Sequence, residues 1–486
     1  MQTSTGGRHR PAPLPPADEN LRRDAIDAAH RIYDSGEFLS RLSALVGFRT
    51  ESQDPAGAQA LREYLTSAIS PLLNEMGFVN TIVENEVSPD HPALIARLVS
   101  DHAAPTLLLY GHADVQLAHA EQWRSGLDPW QVTADGGRWY GRGVADNKGQ
   151  HLINLVALQE VLKARGHLGF NVTLLLETGE ETGSPGLEET CRRHRDLLEA
   201  DLFIGSDGPR LSEQRPTVFL GSRGVANFSL TLALRDGSHH SGNWGGLLRN
   251  PATVVANAIA SLIDSKGRLR VEPLRSAAPP ESVRRAVAGI EPGAGGPPID
   301  TEWGEPAHTP AERVFASNTM EVLAIGAGDP DGAVNSIPGR AAAHCQLRFV
   351  PGLDPEQIQP ALRKHLDQNG FGDVEVSVSA YMSATRLDPD SPWVGFAMDS
   401  LQRTTGKSPA LLPGIGGSLP NAPFAQVLGL PTLWIPHSYP GCAQHAPNEH
   451  LPEALVRESL GLMAGLFSDL AALDQWPPEP GDIDGR

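Results

Sequence analysis

Thr106-Leu107-Leu108-Leu109-Tyr110-Gly111-His112-Ala113-Asp114 is the stretch from which the fold can be read. Leu107 to Tyr110 are all apolar, without polar alternation, as in a strand covered on both faces. A glycine ends the run, and a histidine and an aspartate follow in the loop. Outward from this point the pattern repeats. Ala93–Leu98 reads as a strand, and Asn171–Leu176 and Leu202–Ile204 as further buried strands. Helical spacing covers Leu21–Val46, broken at Ser35-Gly36, then Ala56–Met76, Gln150–Ala164 and Leu187–Leu198. Strands alternating with helices predict an α/β layered domain.

The texture changes near Gly221. Asn227–Leu234, Ala343–Val350 and Val374–Ser379 alternate polar and apolar residues, as half-buried strands do, and Arg268–Val271 reads as one more short strand. Helices are expected at Asn250–Leu262 and Pro355–Gln368, with a Pro/Gly-rich loop over Ala277–Glu305. After Asp388 the buried style returns, with helix Val394–Thr404, strand Pro431–Ile435 and helix Glu453–Leu473. The expected organisation is a disordered lead-in at 1–20, an α/β domain in two parts at 21–220 and 387–486, and an α+β insertion at 221–386. A length of 486 residues suits roughly two to four domains. No internal repeat is visible.

Lys and Arg number 39 against 58 Asp and Glu, a net charge of −19. Such a surface repels phosphate backbones and anionic membranes, so neither nucleic acid nor a membrane is an expected partner. No apolar run approaches the length of a membrane span. The polar, Pro-rich start lacks the apolar core of a secretory signal. Cys191, Cys345 and Cys442 cannot all pair within one chain and form no C-x-x-C. Together these point to a cytoplasmic protein without a disulfide framework.

Five segments carry chemistry: GHAD (111–114), GRGVADNKG (141–149), ETGEETGS (177–184), SDG (206–208) and HAPNEH (445–450). Each places His, Asp or Glu just beyond a strand or at a helix start. Open α/β sheets bind ligands at the carboxyl ends of their strands. Two His, two Asp and two Glu converging there make a mixed nitrogen and oxygen metal site, suited to Zn²⁺ and related divalent ions. Neighbouring carboxylates such as Glu180 and Glu181 point in different directions from an extended loop, so one can bind metal while the other faces substrate. No GxGxxG or Walker motif is present, and Ser418 lies outside any G-x-S-x-G.

In combination these motifs make the chain similar to the M20 metallopeptidases, the group of aminoacylases, acetylornithine deacetylases, carboxypeptidase G and carnosine-type dipeptidases. The resemblance covers nearly the whole chain after Asn20. It implies a catalytic α/β domain with a central mixed sheet, phosphorylase/hydrolase-like, interrupted by a lid or dimerisation domain. It also implies two divalent ions per chain, Zn²⁺ first, with Co²⁺ or Mn²⁺ as alternatives. By motif, His112 and Asp207 would hold one ion, Glu181 and His445 the other, with Asp146 bridging. Asp114 would orient His112 through its second ring nitrogen. Glu180 would be the general base for a water acidified between the ions.

The segment Gly237–Asn243 resembles the family's His-Ser-Gly motif, whose histidine reaches a neighbouring subunit's active site. Alignment on Ser241-Gly242 favours His240, with His239 the alternative. Asn335 and Arg348 match a pair that holds a substrate carboxylate, and Gly417 and Ser418 lie in a Gly-rich substrate loop. Ile415 stands where some dipeptidase relatives carry an acidic residue, which leaves an N-acyl amino acid in competition with a dipeptide as substrate. A small peptide or N-acyl amino acid, and a homodimer, are the implied partners. The reading from another class is a non-catalytic metal-binding or regulatory relative, which would have no need of Glu180.

Overall fold

The structure, a computed structural model, describes residues 16–293 and 297–478. The chain forms two compact units. The first is Met1–Leu220, Leu387–Leu411 and Pro423–Arg486, and the second is Gly221–Arg386 with Leu412–Ala422. The segment Leu412–Ala422, read from sequence as part of the returning α/β domain, therefore clusters with the second unit.

The first unit is built on an eight-stranded sheet. Its strand order is Val79–Val83, Ala93–Leu98, Asn171–Glu177, Thr106–His112, Leu202–Gly205, Thr432–Trp434, Thr217–Phe219, Ala410–Leu412. Thr106–His112 is parallel to both Asn171–Glu177 and Leu202–Gly205, and Thr432–Trp434 is parallel to Leu202–Gly205. Ala93–Leu98 pairs antiparallel with Asn171–Glu177, and Thr217–Phe219 antiparallel with Thr432–Trp434, so the sheet is mixed with a parallel centre. The unbroken Leu107–Tyr110 run is explained by cover on both faces. Leu107 and Leu109 join the core that also holds side chains from helices Pro16–Asp34, Lys148–Arg165 and Glu453–Ala471, three helices that pack on one another. Tyr110 instead enters an aromatic cluster with Phe203, Phe424 and Trp434, ring centroids 5.1–6.0 Å from its own. Burying a side chain of this size is worth about 1.5–3 kcal/mol.

The second unit has a four-stranded antiparallel sheet in the order Thr319–Gly326, Arg340–Phe349, Gly224–Ala233, Glu375–Met382. Alternation decides its faces. Ala226, Phe228, Leu230 and Leu232 point inward with Ala343, Cys345 and Leu347, against Val255, Ala258 and Leu262 of helix Pro251–Leu262 and Ile358, Leu362 and Leu366 of helix Ile358–Gln368.

Several sequence expectations are corrected. Helix Pro16–Asp34 takes in the last five residues of the expected disordered lead-in; residues 1–15 lie outside the described residues. The helix expected over Ala56–Met76 is interrupted by a π segment at Tyr64–Ile69. Pro71 lacks the N–H a continuing α-helix needs, and a wider turn just ahead accommodates it. Arg268–Val271 is not a strand; Leu269 makes one isolated bridge to Ile263. The expected loop Ala277–Glu305 contains helix Glu281–Val287. All three cysteines are buried and free. Among the described residues no helix is long and apolar enough to cross a membrane.

Candidate metal centre

The parallel register brings three strand ends to one edge. His112 closes strand Thr106–His112, the turn Glu180–Thr182 follows Asn171–Glu177, and Asp207 follows Leu202–Gly205. Asp146 arrives from the turn before helix Lys148–Arg165, with the Asp146–Asn147 peptide bond cis. His445 comes from the loop after Pro440–Cys442. Two groups result, His112 with Asp146 and Asp207, and Asp146 with Glu181 and His445; within each, ligand atoms lie within 4.8 Å of one another.

Asp146 is common to both groups. Its Oδ1 is 3.0 Å from His112 Nε2, and its Oδ2 is 3.0 Å from His445 Nε2. Asp207 Oδ2 is 3.6 Å from His112 Nε2, and Glu181 Oε2 is 3.3 Å from His445 Nε2. His112 Nδ1 lies 3.0 Å from the main-chain oxygen of Asp114 and 3.3 Å from its carboxylate. The Asp114 carboxylate also accepts the N–H groups of Glu180 and Glu181 at 3.2 and 3.0 Å, fixing the start of the turn that carries both glutamates.

The donor set fits divalent cations. Imidazole nitrogens and carboxylate oxygens are zinc-type ligands. Burial raises the carboxyl of Glu181 well above its ordinary range, with Asp146 adding to it. Burial and then Asp146 raise Asp207 to about 6. Burial also opposes the charged form of Asp146, yet hydrogen bonds from His112 and His445 hold it below the usual carboxylate range. Glu180, half-buried, is raised by burial and by Asp207, Glu181 and Asp146, against the pull of His112. Glu181 Oε1 is buried without a hydrogen-bond partner among the described residues. Four carboxylates around two imidazoles leave a surplus of negative charge in low dielectric, which a cation satisfies.

Apart from Asp114, sequence reasoning assigned no role to the residues that hold these ligands. Gln116 donates to Glu181 Oε2 at 2.8 Å and Gln444 to Asp146 Oδ2 at 3.3 Å. Their only signal was proximity, two residues after Asp114 and one before His445. Asn147 donates to the Ser206 carbonyl at 2.8 Å, and His437 meets Ser206 Oγ at 3.1 Å, beneath Asp207. Glu449, fully buried, receives four N–H donors on its carboxylate.

In the second unit, His239 and His240 pair with Ile337 and Ser336. The Asn335 carbonyl accepts the Ser241 N–H at 2.9 Å, so Asn335 and the His-Ser-Gly segment are neighbours. His240 is exposed and its Nδ1 accepts from Gly242 N at 3.1 Å, whereas His239 lies edge-on to Trp244. Arg348 Nη1 donates to Ser418 Oγ at 2.7 Å, and Ser418 Oγ donates to the Arg223 carbonyl at 2.7 Å. Arg223, another residue without an assigned role, donates to the Gly416 carbonyl at 2.9 Å. Burial, then the nearby Arg348, lowers its guanidinium to about 10. A side chain at Gly417 would meet nothing within 4 Å.

A carboxylate shared between two histidine-bearing groups on an α/β sheet edge is a candidate metal centre. Comparison with known proteins narrows it. The model of peptidase family M20/M25/M40 matches residues 108–469, and the chain belongs to this family as an M20-type metallopeptidase. It is 26% identical over 469 residues to the Beta-Ala-His dipeptidase of Rattus norvegicus, covering 90% of this chain and 93% of that protein. It is 28% identical over 400 residues to the Cysteinylglycine-S-conjugate dipeptidase of Corynebacterium striatum, covering 79% and 84%. Among solved structures, an M20 family metallo-carboxypeptidase from Sulfolobus solfataricus superposes with a TM-score of 0.75 at 25% identity, over 90% of this chain and all of that one.

Proposed function

We propose that this metallopeptidase is a two-metal dipeptidase that cleaves the amide bond next to a free carboxylate. The observation that carries the reading is the sharing of Asp146 by two groups of candidate ligands at one sheet edge. The names of its relatives, a Beta-Ala-His dipeptidase and a Cysteinylglycine-S-conjugate dipeptidase, favour the dipeptide over the N-acyl amino acid.

In this reading His112, Asp146 and Asp207 hold one zinc ion, and Asp146, Glu181 and His445 hold the second. Bound divalent ions supply Lewis acidity toward an amide carbonyl and lower the pKa of a water. Asp114 fixes His112 and, through two main-chain N–H groups, sets Glu180 beside Glu181. Glu180 takes the proton of the attacking water and passes it to the leaving amine. Arg348, with Asn335, Gly417 and Ser418, receives the substrate carboxylate, for which a guanidinium is the matched planar donor.

The protein acts as a homodimer, with His240 supplied to the partner's site as a donor to the developing oxyanion. Two features support this. Strand Thr319–Gly326 is an outer strand with Leu323 59% and Ile325 56% exposed, an unprotected apolar edge. The short helix Ser241–Trp244 and the turn after it expose Trp244 and Leu247, apolar side chains that a second chain would cover.

The test is a metal count on the purified protein, followed by turnover of dipeptides against N-acetyl, N-succinyl and N-carbamoyl amino acids with zinc, cobalt and manganese. Two ions per chain and dipeptide hydrolysis are expected. Turnover confined to N-acyl amino acids would overturn the substrate assignment, and a metal-bound but inert chain would favour the non-catalytic reading.

A further inference from the structure

Glu449 lies four residues after His445, far in sequence from the Gly141–Asp146 turn, yet its carboxylate organises that turn. Oε1 accepts the main-chain N–H of Ala145 at 2.8 Å and of Asp146 at 3.0 Å. Oε2 accepts the N–H of Gly143 at 3.0 Å and Arg142 Nη1 at 2.8 Å. The Glu449 carbonyl also accepts Gly141 N–H at 3.1 Å. Both oxygens are committed to donors, and the side chain is fully buried. This is an internal anion nest in which a protein carboxylate takes the place a phosphate occupies elsewhere.

The same bonds fix a second loop. His445 and Asn448 both have left-handed backbones, with φ of 62° and 64°. Asn448 Oδ1 accepts Arg124 N–H at 2.7 Å. The five residues from His445 to Glu449 thus form a short bridge that ends on the turn carrying Asp146. His112 and Asp207 are placed differently, by the ends of two paired parallel strands.

We propose that Glu449 is the positioning residue for the second metal group: it locks the His445 loop to the Asp146 turn and thereby holds His445 at binding distance from the shared carboxylate. The inference rests on the two-metal reading. It makes the ion held by Asp146, Glu181 and His445 depend on Glu449 more than the ion held by His112, Asp146 and Asp207.

The experiment is chelator competition on the zinc-loaded full chain, with ions per chain counted by metal analysis and fold monitored by circular dichroism. Glu449→Gln puts an NH₂ group against N–H donors, because neither oxygen is spare. One ion should leave at a chelator concentration about 10–100-fold lower than in the wild type, the usual cost of removing a residue that orients a ligand. The other ion should leave as in the wild type. Glu449→Asp keeps the charge and gives an intermediate shift; it carries the same test if the Gln variant does not fold. Arg142→Lys keeps the three main-chain bonds and should keep both ions. Folded variants that hold both ions as tightly as the wild type, or lose both in step, overturn the proposal. A wild-type chain that holds fewer than two ions removes the metal reading and this inference together.

Discussion

The two units treat their polar residues in opposite ways. In the first, His112, Asp114, Asp146 and Asp207 are buried, and His112, Asp114 and Asp146 are hydrogen-bonded to residues far away in sequence. In the second, His240 is exposed and has one local bond, while Val322, Leu323 and Ile325 turn apolar side chains to solvent. A buried charged cluster is costly unless its partners are complete. The first unit therefore holds every protein ligand of its candidate centre in one place. The second leaves the apolar side chains of an outer strand and the ring of His240 exposed.

The strongest way to break this contrast is Glu180→Gln. If the first unit is chemically complete, the variant keeps both ions and loses about 10²–10⁴-fold in turnover. Near-normal activity in the purified variant would remove Glu180 from the base role. Next comes the edge of the second unit. Replacing Leu323 and Ile325 together by Lys should raise the dimer dissociation constant about 10²-fold, from roughly 3 kcal/mol of lost apolar burial, as read by analytical ultracentrifugation. An unchanged dimer would place the interface elsewhere.

A smaller effect tests whether His240 of the second unit serves its partner's site. Inactive His240→Ala and inactive Glu180→Gln chains, dissociated and mixed, should recover about one quarter of wild-type activity. Half the dimers are then mixed, and each mixed dimer has one intact site. No recovery in verified mixed dimers would end the trans assignment. The smallest effect is a control for simple destabilisation. Thr309 closes a capping box with Glu312 in the second unit. Thr309→Ala should cost about 1 kcal/mol in denaturant unfolding while the metal count is unchanged. A fall in bound metal would mean that the two units are less independent than their separate cores suggest.

Legibility in the sequence followed burial. Strand Thr106–His112 was readable because both its faces are covered, leaving an unbroken apolar run. Strand Val79–Val83 went unread because only Val83 is buried, and an outer strand keeps no pattern that burial would impose. Thr319–Gly326 failed for the opposite reason: apart from Met320 its apolar residues face outward, so neither alternation nor a buried run marks it. Helix Glu281–Val287 was hidden among prolines and glycines, although Val283 and Val287 are spaced to share a face. The candidate ligands were readable because each lies in a short motif after a strand. Their supports were not. Glu449 acts on main-chain N–H groups, and a residue that binds backbone leaves no complementary residue type to look for.

The discontinuity of the first unit bears on how the chain is made. Leu387 N–H meets the Leu220 carbonyl at 2.8 Å, so the longer of the chain's two excursions from this unit begins and ends at one point. Strand Thr432–Trp434, which sits between Leu202–Gly205 and Thr217–Phe219, belongs to the last part of the sequence. On a ribosome, the nascent sheet holds a gap at this position from the emergence of Phe219 until that of Trp434, roughly 10–40 s at ordinary elongation rates. During that interval the Leu202–Gly205 edge is open, while the self-contained sheet of Gly221–Arg386 is free to close first. Order of synthesis thus opposes order of assembly: the unit begun first is completed last, and its unpaired strand edge is where a chaperone would be needed.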